Sequence, residues 1–419
     1  MSEARQKAAA AKKASRILAQ ATDAQRRQAI RAAAKRIEDS SAEVLEANAK
    51  DVANGRASHM ADPLMDRLLL TDERLKALVA SMFEIADQPD PLGKVLDGRT
   101  LAAGVRMEKI SVPLGVVAII YEARPNVTAD AFSLCLRSGN SCVLKGGSAA
   151  KSSCQAIVRL CRAGLEDAGL PRDCVTYIDS TDHAETAELM RATGLVDVLI
   201  PRGSARLIKA TVEQATVPTI ETGTGNCHIY LHTSADSHMA TDIVVNAKTQ
   251  RPGVCNAAES LLVDTAAAQR LLPPVASALV DRGVELVGDD DARRICKENG
   301  MPMGEATEED WGKEYLDLKM SVKCVSGVQE AIAHINRYGT GHSEAIVCTD
   351  YAASEAFLAG VDAAAVYVNA STRFTDGGVF GLGGEIGIST QKLHARGPMG
   401  ADALTTTKYV LRGDGQVRK

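Results

Sequence analysis

Aromatic residues are scarce in this 419-residue chain, at 3%, with one tryptophan, five phenylalanines and eight tyrosines. Large rings therefore cannot fill its interior. With 45% hydrophobic residues and abundant alanine, the core must come from small aliphatic side chains packed at close range, which suits helices lying on a sheet. No apolar run reaches the roughly 18 residues of a membrane-spanning helix, and no secretory apolar stretch opens the sequence. Basic charge is not in excess: the net charge is -5, the sequence pI is near 6.0, and the lysines and arginines are spread out. That leaves no electrostatic footprint for nucleic acid. The ten cysteines form no C-x-x-C pair and the eight histidines show no metal spacing, so no metal site is expected. Together these absences describe a cytoplasmic protein that handles a small molecule, with most of its thiols reduced and buried.

What is present points to two lobes, because a single core stops growing well below this length. Residues 4–84 show helical periodicity with polar breaks, including a capping box from Thr22 to Gln25 and an apolar face of Leu75, Leu78, Val79, Met82 and Ile85. The basic stretches 12–16 and 26–36 lie among alanines and read as solvated helix faces. The segment DQPDPLG (87–93) stops the helical layer. Residues 105–111 alternate like a half-exposed hairpin strand that could face a partner subunit. Short apolar runs follow at 115–121, 141–144, 175–178, 196–200 and 219–220, with helices between them, as in a parallel sheet covered on both faces. A second alternation follows residue 255, with strands expected at 260–263, 284–287 and 365–369 and a helix over 266–281. The β-rich tail 404–411 could pair with the hairpin near 98–113.

Chemistry concentrates at QRPGVCNAAE (250–259). Cys255 follows Pro-Gly and reads as standing at the start of a helix, where dipole and free N–H groups would stabilise a thiolate and hold an oxyanion. A buried structural cysteine is the plain alternative. In GNSCVLKGGS (139–148) a strand delivers Lys145 into a Gly-Gly turn before a helix starting near residue 149, an arrangement that suits an anion. PRGSARLI (201–208) places Gly203 and Ser204 in a turn opening another helix. The G-x-G-x-x-G fingerprint is absent, which argues against an ordinary dinucleotide-binding fold. His228 and His232 flank a strand-like IYL and read as structural.

These segments occur in order with PLGVVAIIYEARPNVT (113–128), ETGTGNCHI (221–229), YGTGHSEAI (338–346) and FGLGGEIGIS (380–389). The series resembles the aldehyde dehydrogenase superfamily over most of the chain, and within it a branch that reduces an acyl phosphate. The resemblance implies an α/β fold with two doubly wound lobes and a small β oligomerisation element. Residues 1–97 and 114–227 would form the nucleotide-binding domain, 228–379 the catalytic domain, and 98–113 with 400–419 the oligomerisation element, giving a homodimer or larger assembly.

By the same resemblance Cys255 is the nucleophile and Asn126 donates to the oxyanion. Lys145, Gly147, Ser148, Gly203, Ser204, Glu221 and Glu314 fall at cofactor positions. Lys145 would contact the adenosine ribose and its phosphate, and Glu314 the nicotinamide ribose. Glu221 takes the place of a water-activating glutamate of hydrolytic relatives, and its role here stays open. Ser148 replaces an acid that holds a ribose 2′-hydroxyl in NAD-using relatives, which favours NADPH. His342 falls in a loop near the active site. Arg124, Arg251 and Arg373 lie in or beside the motifs and could receive the phosphate and α-carboxylate of a substrate. The implied reaction is NADPH-dependent reduction of L-glutamyl 5-phosphate to the 5-semialdehyde through a cysteine thioester, the second step toward proline, with a functional link to a glutamate 5-kinase. The alternatives are a hydrolytic or CoA-acylating NAD-dependent enzyme and a catalytically silent nucleotide-binding relative.

Overall fold

The computed structural model describes residues 1–418. Five helices open the chain: α1 (Glu3–Leu18), α2 (Asp23–Asp39), α3 (Ser41–Ala57), α4 (Asp62–Leu68) and α5 (Asp72–Asp87). The Thr22–Gln25 capping box starts α2, and the expected apolar face of α5 is buried. In α1 the inward stripe is Ala4, Ala8 and Ala11, all fully buried in one cluster with Val116, Ala118 and Ile120. Small side chains bring this helix close to a sheet, each buried methyl contributing roughly 0.8 kcal/mol.

That sheet follows an antiparallel hairpin of β1 (Val95–Thr100) and β2 (Arg106–Pro113). It comprises β3 (Val116–Tyr121), then α6 (Pro125–Arg137), β4 (Ser141–Gly146), α7 (Lys151–Asp167), β5 (Val175–Tyr177), α8 (His183–Met190), β6 (Val198–Arg202) and α9 (Ala205–Gln214). All its strands are parallel, in the order β5-β4-β3-β6. The strand expected at 219–220 is a single bridge from Thr219 to Leu199. Proline at 218 lacks the N–H that a longer ladder would need.

A second parallel sheet begins with β7 (Cys227–Leu231). It continues through α10 (Ser237–Thr249), β8 (Ala258–Asp264), α11 (Ala268–Val280), β9 (Glu285–Gly288), α12 (Asp290–Glu298), β10 (Gly304–Glu305), β11 (Lys319–Val325), α13 (Val328–Tyr338), β12 (Ser343–Val347), α14 (Tyr351–Gly360) and β13 (Ala365–Val368). The order is β10-β9-β11-β8-β7-β12-β13. Ile229, Leu261, Val322 and Ala345 face one core cluster, and Tyr230, Leu262, Val325 and Ile346 the other, so both faces are covered. Three strands of this sheet, β10, β11 and β12, were not expected; β10 has only two residues, and KMSVKCV and SEAIV mix polar residues into short runs that mimic loops.

The chain ends with a pair of two-residue strands, β14 (Ile388–Ser389) and β15 (Gly397–Pro398), and with β16 (Thr405–Arg412). β16 pairs antiparallel with β2 from Thr405↔Pro113 to Arg412↔Arg106, as the tail's composition suggests. Lys419, the last residue of the expected segment 400–419, lies outside the described residues. By contacts the chain divides into two units. The first holds Met1–Thr222, Gly377–Gly387 and the described residues from Pro398 onward; the second holds Gly223–Asp376 and Ile388–Gly397.

Candidate active site

In the first unit, the expected cofactor residues gather where β3, β4 and β6 end. Lys145 occupies β4, and burial leaves 6% of it exposed. Its ammonium donates to the Gly146 carbonyl at 3.3 Å, and desolvation pushes its pKa below the usual lysine value. Gly147 follows, its N–H donating to the Tyr121 carbonyl at 2.7 Å. Ser148 is exposed and opens a 3-10 turn, Ser148–Ala150, that leads into α7. The turn after β6 carries Gly203 and Ser204, and Ser204 caps α9.

A carboxylate that sequence reasoning missed already sits on that cap. Glu122, just beyond β3, accepts the Ser204 N–H at 2.8 Å and the Ser204 hydroxyl at 3.2 Å. Any side chain at Gly203 would run into it, since a Cβ there would stand 2.6 Å from Glu122 Oε2. The turn therefore accepts an anion.

Between β3 and α6 the chain bends through Ala123, whose φ of 33° is left-handed, and Arg124 caps α6 half-buried. Asn126 stands in the first turn of α6, exposed, its amide donating to the Asp130 carboxylate at 3.2 Å. Glu221 is half-buried in an extended segment of the same unit.

In the second unit, Cys255 is not at a helix start. It lies in a turn between the end of α10 and the beginning of β8, so the nearer helix along the chain presents its carboxyl terminus. The expected dipole support is absent there, because the NAA tripeptide runs directly into a strand rather than a helical turn: Ala258 to Asp264 are buried on both faces of a sheet. The sulfur's residue is distinctive in another way. All ten cysteines lie among the described residues, and nine are buried while Cys255 is half-exposed.

Several contacts fix the Cys255 turn. The Cys227 thiol donates to the Cys255 carbonyl at 3.2 Å; burial pushes that thiol's pKa well up, so it stays a neutral donor. Gly225 packs so closely that a Cβ there would coincide with the Cys255 carbonyl. The Gly225 N–H donates to Glu314 Oε1 at 2.7 Å, which places Glu314 in a loop against the ETGTGN segment. Asn226 secures that segment by donating to the Trp311 and Tyr338 carbonyls at 2.8 and 3.0 Å.

An ion pair spans the base of the loop. Lys248, in the last turn of α10, meets Glu259 of β8 at 2.6 Å, both side chains fully buried. Burial pushes the Glu259 carboxyl up to about 7, partly offset by Lys248. Its other oxygen accepts the Leu316 N–H at 3.2 Å, tying the loop that carries Glu314 to the same pair.

The remaining expected residues divide. Arg251 is exposed, four residues before Cys255 along the chain. Arg373 is half-buried, with donors engaged by Gln250 and Asn256. His342 is fully buried, its Nδ1 2.8 Å from the Ser343 hydroxyl and 3.8 Å from Cys227 Sγ. As placed it does not meet a dissolved substrate, because β12 begins at the next residue and draws the Gly-rich loop into the sheet. His228 is structural, paired with Glu344 at 3.0 Å in full burial.

No local pattern announced Lys248–Glu259, Cys227 or Glu122. Each acquires its partner across a strand or turn rather than along a helix face. Among the described residues no group of His, Cys, Asp and Glu could hold a metal ion.

Comparison with known proteins identifies the family. The profile of the aldehyde dehydrogenase family matches residues 1–295. A gamma-glutamyl phosphate reductase of Moorella thermoacetica is 50% identical over 418 residues, spanning 100% of this chain and 99% of that one. One from Clostridium perfringens is 53% identical over 90% of each. The crystal structure of the gamma-glutamyl phosphate reductase of Thermotoga maritima superposes with a TM-score of 0.95 at 44% identity, covering 100% of both chains. An acetylating aldehyde dehydrogenase of Geobacillus thermoglucosidasius shares the fold, with a TM-score of 0.72 at 19% identity over 100% of this chain and 98% of that one. The chain belongs to the aldehyde dehydrogenase family, and within it to the gamma-glutamyl phosphate reductases.

Proposed function

We propose that this protein reduces L-glutamyl 5-phosphate to L-glutamate 5-semialdehyde and inorganic phosphate, the second step from glutamate toward proline. The observation that carries the reading is Cys255: one half-exposed thiol among ten, in a turn held by a buried thiol donor and flanked by a buried ion pair.

A nicotinamide cofactor is implied by the family, and the residues of the first unit fit one. The α9 cap already holds a carboxylate on the Ser204 N–H and hydroxyl, so it can hold a pyrophosphate oxygen in the same way. Lys145 supplies a buried ammonium for the adenosine ribose and its phosphate. Exposed Ser148 sets no carboxylate against a 2′-phosphate, which supports NADPH as the reductant. When bound, the cofactor supplies hydride.

Cys255 attacks the acyl carbon and displaces phosphate, forming a thioester. Asn126, once released from Asp130, is the side-chain donor for the oxyanion. Arg124 and Arg251 are the cations offered to the substrate's anionic groups. Glu314 contributes by holding Gly225, which presses on the nucleophile's backbone. Once the thioester carbon is reduced, Cys255 would leave as the thiolate and free the aldehyde.

The acyl phosphate is labile, so a glutamate 5-kinase is the reaction class that must supply it. The β1-β2-β16 sheet, with Val95, Leu96, Tyr409 and Leu411 exposed, is the proposed oligomerisation element. Among the described residues no helix is long and apolar enough to cross a membrane, and a cytoplasmic location suits the substrates.

The test runs the reaction backward, with glutamate 5-semialdehyde, phosphate and NADP, following absorbance of the reduced cofactor. Signal should require phosphate. Cys255→Ser should lower it by at least about a thousandfold. Phosphate-independent reduction of the cofactor would overturn the reading in favour of a hydrolytic enzyme.

A further inference from the structure

An arginine meant to receive a substrate anion should offer an open fork. Arg373 instead spans the nucleophile's own loop. It lies in the 3-10 turn Thr372–Phe374, its Nε donating to Gln250 Oε1 at 3.0 Å and a terminal nitrogen donating to Asn256 Oδ1. Gln250 follows the last residue of α10, and Asn256 follows Cys255, so one guanidinium joins the two sides of the turn. The surrounding backbone repeats the connection. Asn256 Nδ2 donates to the carbonyls of Arg373 and Thr375 at 3.4 and 2.9 Å, and the Thr372 hydroxyl donates to the Asn256 carbonyl at 2.7 Å.

Electrostatics gives this clamp a second task. Because α10 ends just before the turn, its dipole disfavours negative charge there, and a thiolate needs a compensating cation. Arg251 and Arg373 are the cations of the turn and its clamp. Opposing them in this unit are Asp376, Glu314 on Gly225 and Glu344 on His228. Cys227 and His342 lie behind the turn as buried titratable groups, and Lys248 and Glu259 largely cancel as a pair. The Arg373 guanidinium is half-buried and held on Asn256, the residue next to Cys255, while Arg251 is exposed to water, where its field is screened.

We propose that Arg373 is a positioning residue that serves the nucleophile rather than the substrate, closing the Cys255 turn between Gln250 and Asn256 and supplying the positive charge that the thiolate faces. This rests on Cys255 being the nucleophile.

The experiment measures alkylation of Cys255 by iodoacetamide against pH, by mass spectrometry, in the full-length free enzyme, where no substrate is needed. Arg373→Gln should move the profile to higher pH and slow alkylation about tenfold near pH 7, one pKa unit being tenfold in thiolate. Arg373→Lys keeps the charge but cannot bridge both acceptors, so its profile should stay near the parent's while turnover falls. Thermal melts confirm that both variants fold.

Two outcomes would overturn the proposal. An unshifted profile in Arg373→Gln with a raised KM for the acyl phosphate makes Arg373 a substrate anchor; equal shifts in both variants remove charge from the account. Failure of the nucleophile reading itself would show separately, as turnover surviving in Cys255→Ser.

Discussion

The two parallel sheets place their candidate functional residues at opposite ends. In the first unit Lys145, Ser148, Glu122, Gly203 and Ser204 lie at the carboxyl ends of β3, β4 and β6, where the following helices begin. In the second unit Cys255, Cys227, Glu259, His342 and Glu344 lie at or just before the amino ends of β7, β8 and β12, where the preceding helix α10 finishes. Carboxyl ends of parallel strands offer helix N-termini and free N–H groups, the natural seat for a nucleotide's phosphates. Amino ends offer the opposite field, so an anion there depends on side chains. The second unit accordingly lines that end with buried ion pairs, a neutral thiol donor and an arginine clamp. The first needs little more than glycines, a serine and one lysine.

This contrast can be broken by substitution, and the largest effect should come from the crowded end. Gly225→Ala puts a methyl group where the Cys255 carbonyl stands, so the turn must move. A displacement of about 1 Å at a reacting group costs on the order of a hundredfold, and kcat should fall by about that much while NADPH binding, read by fluorescence, stays put. Next comes the open end. Lys145→Ala removes a buried ammonium from the proposed nucleotide site and should weaken NADPH by about ten- to a hundredfold, with the alkylation rate of Cys255 unchanged. A smaller change is expected for Ser148→Asp, which sets a carboxylate against the 2′-phosphate. The ratio of kcat/KM for NADPH over NADH should drop by about tenfold.

The smallest effect is a pH slope. Burial raises the folded Glu259 carboxyl from 4.5 to about 7, so the fold favours its protonated form. Its stabilising contribution is present below about pH 4.5 and is lost as pH rises through about 7. Glu259→Gln should flatten that part of the profile of urea midpoint against pH. Above about pH 7 it should also lower the midpoint, because Lys248 then loses its charged partner. A variant with the parent's slope would assign the pH dependence to other groups.

Much of this was legible beforehand, and particular residues show why. The α5 face, the Thr22 cap and the runs 115–121 and 141–144 are local patterns whose period is set by helix or strand geometry, so they read correctly from sequence. The tail's pairing with the hairpin was recoverable because both segments are β-rich and half-exposed. The helix expected at Cys255 failed because NAA is as compatible with a turn as with a helical start, and only the following buried strand settles the matter. β12 failed similarly: its Glu344 looks like a surface residue until His228 from β7 is brought beside it.

The sequence alone determined the alternating α/β architecture and the small-residue core, because each is written in neighbouring residues. Tertiary structure decided which end of each sheet carries those residues, that Lys248 meets Glu259, and that Arg373 grips the Cys255 turn from more than a hundred residues away along the chain. Burial and charge compensation depend on what is close in space, and strand order, not sequence order, sets that distance.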